Sequence, residues 1–229
     1  MKNLCSFVLL LCLTGSLTAQ GYDQLKVQLQ FFNHYGSVAQ KSKVATNVIG
    51  SEFLYEDWRP MDIQFKDTTV RFDAVKLNLQ NSSLEVLYQG EEKMIANVHF
   101  INVKFSDGKR EKKLMPGNRF RYEKQQLEGF VEVIGDGDEK VLVQHYIYVK
   151  PPNAQAHIVG GHTVNRLMKI ENHYIFDGKS LALIKKRKDL ETYYRKKSKV
   201  LDQYLKEAKP DLKDPMQLYA IVEKMNAGK

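Results

Sequence analysis

The stretch FVEVIGDGDEKVLVQHYIYV, Phe130 to Val149, decides how the chain folds. Phe130 to Ile134 and Val141 to Val149 are rich in β-branched and aromatic residues, which suit a pleated, half-buried surface. Gly135-Asp136-Gly137-Asp138 lies between them, and Asp and Gly tolerate the positive φ that tight turns demand. Two apolar runs around such a turn predict a β-hairpin. Asp136, Asp138 and Glu139 bunch at the turn, but a calcium loop needs acids at fixed alternating positions and a closing Glu further on. The turn itself accounts for them, so no metal is expected there.

Toward the N-terminus the same short-strand pattern continues. Met61, Ile63 and Phe65 alternate with Asp62, Gln64 and Lys66, and Val70 and Phe72 extend one face. The alternation slips at Asp73-Ala74 before Val75, Leu77 and Leu79 resume, which predicts a bulge or a tight turn. Asn81-Ser82-Ser83 and Gln89-Gly90-Glu91 read as turns around the strand Leu84, Val86, Tyr88. Val98 to Phe105 reads as a strand closed by Asp107-Gly108, and residues 108–119 read as a basic loop around Pro116-Gly117. Residues 20–49 are ambiguous: Leu25, Val27, Leu29 and Phe31 alternate like a strand, whereas Leu25, Leu29 and Phe32 keep helical spacing. Gln40 to Asn47 reads as a polar loop.

Toward the C-terminus, Pro151-Pro152 stops the long strand. His157 to Val164 carries Gly160-Gly161, and a last hairpin is expected from His173–Phe176 through Asp177-Gly178 to Leu181–Ile184. Past Lys185 the period becomes helical. Leu190, Tyr194, Leu201, Tyr204, Leu205 and Ala208 form one stripe that Pro210 ends. Asp214-Pro215 then supplies an N-cap and a first-turn proline, ahead of Leu218, Ile221, Val222 and Met225. The fold class expected is α+β: a predominantly antiparallel β meander, open sheet or partial barrel, with a C-terminal helical hairpin packed on it.

The chain has 229 residues. Lys2, the apolar run Leu4–Leu13 and the small residue Ala19 ahead of Gln20 have the order of a secretory signal peptide over residues 1–19. The expected division is therefore a leader at 1–19, a β-rich domain at 20–184 and the helical hairpin at 185–229. Leu11 before Cys12 is unlike a lipoprotein signal, and no later apolar run approaches the length of a membrane span. Both cysteines, Cys5 and Cys12, fall in the leader. The exported remainder would have no disulfide, thiolate metal site or cysteine nucleophile, which suits a periplasmic or extracellular bacterial protein.

Three segments carry a resemblance. Gly50-Ser51-Glu52-Phe53-Leu54 leads into the first alternating strand, Val75-Lys76-Leu77-Asn78-Leu79 follows, and Glu92-Lys93-Met94-Ile95-Ala96 comes later. With the Lys-rich helical C-terminus, this order resembles uncharacterised secreted β-rich proteins of the Bacteroidota, which carry "GSPYL", "LKLNLY" and "KEMIA" segments. Glu52-Phe53 departs from the Pro-Tyr of that pattern. The resemblance implies export and a β-rich fold; it transfers no catalytic residue.

Chemistry is sparse. His157 and His162 flank a Gly-Gly turn, but they lack the four-residue helical spacing and intervening Glu of a zinc motif, and they read as loop histidines. Glu52, Glu56, Asp57 and Asp62 surround Tyr55 and Trp58, as in a glycosidase cleft or, more simply, an aromatic plug ringed by solvated acids. No nucleophile elbow, phosphate loop or dinucleotide fingerprint occurs. No catalytic residue, metal or cofactor is assigned.

Charge says more. Past the leader the chain holds 34 basic and 27 acidic residues, and the window 179–199 alone carries nine basic residues against Asp189 and Glu191. The whole positive excess sits there. Lys185, Lys186, Arg187, Lys188, Arg195, Lys196, Lys197 and Lys199 are the candidate polyanion-binding residues, with Tyr193 and Tyr194 as added contact area. The alternative is a solvated helix face. The partners expected are an anionic membrane surface, lipopolysaccharide or an acidic protein. Nucleic acid is not expected, since no binding motif appears. The function read from the sequence is a non-enzymatic exported envelope protein that binds or scaffolds. An envelope carbohydrate hydrolase near Trp58, or a β-barrel holding a small apolar ligand, are the alternatives.

Overall fold

A computed structural model describes residues 48–152 and 164–227. The expectations for residues 1–47, including the leader, and for the turn carrying His157 and His162 lie outside the described residues.

The strands are β1 (Val48–Ile49), β2 (Arg59–Gln64), β3 (Thr69–Asn78), β4 (Ser83–Tyr88), β5 (Glu91–Ile95), β6 (Asn102–Ser106), β7 (Glu111–Pro116), β8 (Arg121–Tyr122), β9 (Gln125–Gln126), β10 (Phe130–Ile134), β11 (Lys140–Lys150), β12 (Asn165–Phe176) and β13 (Leu181–Leu183). One sheet runs in the order β12, β11, β10, β7, β6, β2, β3, β4, β5, and β1 and β13 both pair with the far edge of β12. Every pairing is antiparallel except β1 with β12. β8 and β9 form a separate ribbon. Three helices close the chain: α1 (Arg187–Tyr193), α2 (Ser198–Ala208) and α3 (Pro215–Asn226). The α+β fold read from the sequence is the fold observed.

The hairpin over 130–149 forms as its sequence dictates, with Ile134 opposite Val141 and Phe130 opposite His145. The slip at Asp73-Ala74 is a β-bulge: Met61 faces Phe72 and Arg59 faces Val75, so β3 carries one extra residue. The slip keeps Phe72 and Val75 both inward. The sheet curls, because Phe130 of β10 and Ile147 of β11 share a core with Met61, Phe72, Val75 and Leu84 of β2 to β4. Residues 48–54 span the gap at one end. Val48 and Ile49 pair with β12, while the Leu54 amide donates to the Leu77 carbonyl and the Leu79 amide to the Glu52 carbonyl.

Side chains on the concave face build two cores. The first lies against β2 to β7 with Phe130 of β10 and Ile147 of β11, and it is filled: Phe72, Phe100 and Phe130 are fully buried, and the last two rings stack at 6.2 Å. At about 1.5–3 kcal/mol per buried large apolar side chain, this interior is a packed core. The second core lies where the helices cover β10 to β12. Leu190, Leu201, Leu218, Ile221 and Val222 meet Ile134, Val141, Val143 and Ile175 there.

Three expectations are corrected. Residues 108–119 are not a loop, since Glu111–Pro116 is a central strand. Its lysines obscured the alternation, because Lys112 faces inward beside Leu114 and is used there as a charge. The strand read over Val98–Phe105 starts only at Asn102, with a turn before it in which the His99 amide donates to the Ala96 carbonyl. The helical hairpin is three helices, because the stripe breaks after Tyr194 into a single 3-10 turn at Arg195–Lys197. Tyr194 buries there and its hydroxyl donates to Glu139 at 2.8 Å, which ties the end of α1 to the 135–139 turn.

Candidate functional site

The basic window emerges on the helical layer. Lys185 and Lys186 precede α1, Arg187 and Lys188 open it, Arg195 to Lys197 form the 3-10 turn, and Lys199 lies in α2. The acids nearby are all engaged within this layer. One Asp189 carboxylate oxygen accepts from the amides of Lys185 and Lys186 and so caps α1. Glu191 and Asp202 both accept from the Arg187 guanidinium at 2.7 Å. These two carboxylates raise the Arg187 pKa further and leave it a structural clamp between α1 and α2. The Lys197 ammonium donates to the Met225 carbonyl near the end of α3.

Two of the eight candidates are therefore occupied within the fold. Lys185, Lys186, Lys188, Arg195, Lys196 and Lys199 are exposed, and no ion pair or side-chain hydrogen bond engages them among the described residues. The tyrosines do not extend this surface. Tyr194 is buried, and the Tyr193 ring is turned edge-on against it at 4.8 Å.

A second feature was missed by the sequence reading. Between the two cores, a polar seam crosses the concave face through Lys112, Glu132, His145 and Glu171. Strand register sets it: Glu132 is opposite Leu114 on one side and Val143 on the other, and His145 is opposite Glu171. Glu132 is only 2% exposed. One of its oxygens meets the Arg110 guanidinium; the other lies 3.7 Å from the Lys112 ammonium and 3.6 Å from His145 Nε2. His145 Nδ1 lies 3.1 Å from Glu171. Lys112 also reaches Asp107 at 3.2 Å and donates to the Tyr55 hydroxyl at 3.1 Å.

Burial pushes the Glu132 carboxyl up, but His145, Lys112 and Arg110 outweigh it and hold the carboxyl below its ordinary value. Burial likewise disfavours the His145 imidazolium, yet the two flanking carboxylates reverse the sign and raise its pKa. Glu171 is held low by His145 against its own burial. Each shift thus favours the charged form relative to the group's ordinary value. A general acid needs the opposite, a carboxyl held neutral near working pH. No cluster of acids and histidines suited to a metal occurs among the described residues.

Glu56 accepts from Ser51 and Lys169, and the Lys169 contact lowers its pKa. The Trp58 ring faces the Lys76 ammonium at 4.7 Å, and that ammonium also covers Phe53 at 5.0 Å. Asp62 turns to the outer face, 3.4 Å from Arg71. A hollow of about 450 Å³ opens there, and its two carboxylates, Asp62 and Glu111, sit among Arg71, Lys104, Lys109 and Arg110.

Comparison with protein-family models, curated proteins and solved structures gives no match to this chain.

Proposed function

We propose that this protein is a non-enzymatic, exported envelope protein that docks an anionic lipid or glycolipid surface through Lys185, Lys186, Lys188, Arg195, Lys196 and Lys199. One observation carries the reading: these cations stand exposed, while Asp189, Glu191 and Asp202, which could have neutralised them, are consumed by a helix cap and by Arg187. The charge is uncompensated locally. The order of the leader residues and the resemblance to secreted Bacteroidota proteins support the export half of the reading. Glu56 is tied to Ser51 and Lys169, which lends the hydrolase alternative no support.

Each cation near an anionic bilayer contributes about 1 kcal/mol and loses it as salt screens the surface. Co-sedimentation with anionic and neutral vesicles, across a salt series, tests the proposal. The informative variant changes the six exposed cations to Ser and keeps Arg187 and Lys197, whose loss would disturb the helices themselves. Binding to anionic vesicles alone, lost both at high salt and in a variant with an unchanged melting temperature, is the expected result. Equal binding by that variant, or none by the native chain at low salt, overturns the reading.

A further inference from the structure

A hollow of about 320 Å³ opens where three segments of the chain meet at the edge of the helical layer. Glu171 and His173 of β12 line it, with Ile184 and Lys185 between β13 and α1, and Leu212 and Lys213 between α2 and α3. Its volume is at the small end of ligand sites, which run from about 300 to 1,000 Å³. The three segments are tied together. The Ile184 amide donates to the His173 carbonyl at 2.8 Å, and His173 Nδ1 lies 3.2 Å from the Leu212 carbonyl oxygen. Asp189 accepts from the Lys185 amide, and Asp211 accepts from the Lys213 amide, both at 2.9 Å. A site held in place before its ligand arrives loses less freedom on binding.

His173 is the unusual member. It is 9% exposed, and its Nε2 is buried with no hydrogen-bond partner among the described residues. A carbonyl oxygen only accepts, so Nδ1 carries the proton that Leu212 receives. In the neutral ring Nε2 is then a bare acceptor. A buried polar atom without a partner is costly and calls for one. The ammonium groups of Lys185 and Lys213 meet no acid among the described residues. Asp189, Asp211 and Asp214 are close in sequence, but each accepts from main-chain amides and none lines the hollow. Glu171 is the acid that does, and His145 Nδ1 already faces it at 3.1 Å.

These groups restrict the occupant. Two ammonium groups, beside one carboxylate held by an imidazole, favour a ligand of net negative charge. A cationic or zwitterionic ligand fits less well, because its cation would compete with His145 for Glu171 and meet both lysines. A hydroxyl suits Nε2, since it both donates and accepts and so serves either protonation state of the ring. A metal ion takes three or four protein ligands, and among the described residues only Glu171 and His173 are of that kind here. Ile184 and Leu212 offer an apolar wall to the carbon frame. We infer that the hollow binds a small hydroxylated organic anion, the size of one sugar ring bearing a carboxylate or a phosphate, with its acid at Lys185 and Lys213 and a hydroxyl at His173. The inference shares Lys185 with the docking surface but does not rest on it, because His173 and Lys213 lie outside that set.

The test titrates the native full chain with glucuronate and with glucose 6-phosphate, followed by amide and histidine-ring nitrogen shifts in nuclear magnetic resonance. Glucose, acetate and inorganic phosphate are the controls. At least one acidic sugar should bind tenfold more tightly than glucose and than its own anion alone, and which of the two does so separates a carboxylate source from a phosphate one. The shifts should centre on Glu171–His173 and Leu212–Lys213 and include His173 Nε2. His173→Asn keeps a donor for the Leu212 carbonyl and removes the Nε2 acceptor; Lys213→Ser removes one cation. Each should weaken binding at least fivefold at an unchanged melting temperature, and Lys213→Ser should leave vesicle binding as it was. Absence of these shifts with both sugars at millimolar concentration overturns the inference. So does equal binding of acetate or phosphate alone, which would mark a patch of charge only, or undiminished binding by both variants. Failure of vesicle docking leaves this result unaffected.

Discussion

His145 is 6% exposed and is bracketed by Glu132 and Glu171, with Lys112 and Arg110 beyond Glu132 and His173 two residues along from Glu171. Its pKa is raised above 6.5 on folding, so its contribution is complete below that value and fades as pH climbs through the folded-state value. Glu132 and Glu171 behave oppositely. Their folded values lie below 4.5, and their contribution holds above that and fades only in acid. Stability from the seam should therefore peak between those two reference values and decline on the alkaline side. Urea midpoints measured from about pH 5 to pH 9 should show the decline in the native chain and a flatter profile in His145→Gln. A slope that survives the substitution would place its source elsewhere. The basic cluster was legible because it is contiguous in sequence; this seam was not, because its members come from four strands. The one visible signal was Glu132, a lone charge inside Phe130-Val131-Glu132-Val133-Ile134, where either face of a strand would bury it.

At the scale of elements, turns and apolar alternation were the readable quantities. The 130–149 hairpin, the bulge in β3, the 177–180 turn and the Asp214 cap, which accepts from the Met216 amide at 2.9 Å, all followed from local chemistry. β7 did not, because a lysine serving a buried carboxylate resembles a lysine facing water. The approach to β10 shows how strictly one residue can set an element. Gly129 has φ +69°, its amide donates to the Ser82 hydroxyl at 3.0 Å, and a Cβ there would lie 2.0 Å from the His145 carbonyl oxygen. Only glycine lets the chain approach β11 that closely before β10 begins. Gly129→Ala combines an unfavourable φ with a main-chain clash and should cost at least about 2 kcal/mol. Chemical denaturation against the native chain measures it, and a loss under about 0.5 kcal/mol, the range of an ordinary surface change, would show that the turn can relax.

Across the whole molecule, β11 is the shared member. Val141 and Val143 at one end belong to the core under the helices, Ile147 belongs to the core inside the curl, and His145 lies between them. The same sharing decides how the chain unfolds. If the cores were independent, the C-terminal helices would melt first and leave the curled sheet intact. Because β10, β11 and β12 contribute to both, loss of either core removes support from strands the other needs. Ile221→Ala, in the helical core, should cost about 2–5 kcal/mol, and Phe72→Ala, in the sheet core, about 3–5 kcal/mol. Each should shift one common transition, with far-ultraviolet and near-ultraviolet circular dichroism coincident throughout. An Ile221→Ala melt that separates into two steps, with helical signal lost ahead of strand signal, would show that the polar seam divides the molecule into two cooperative units.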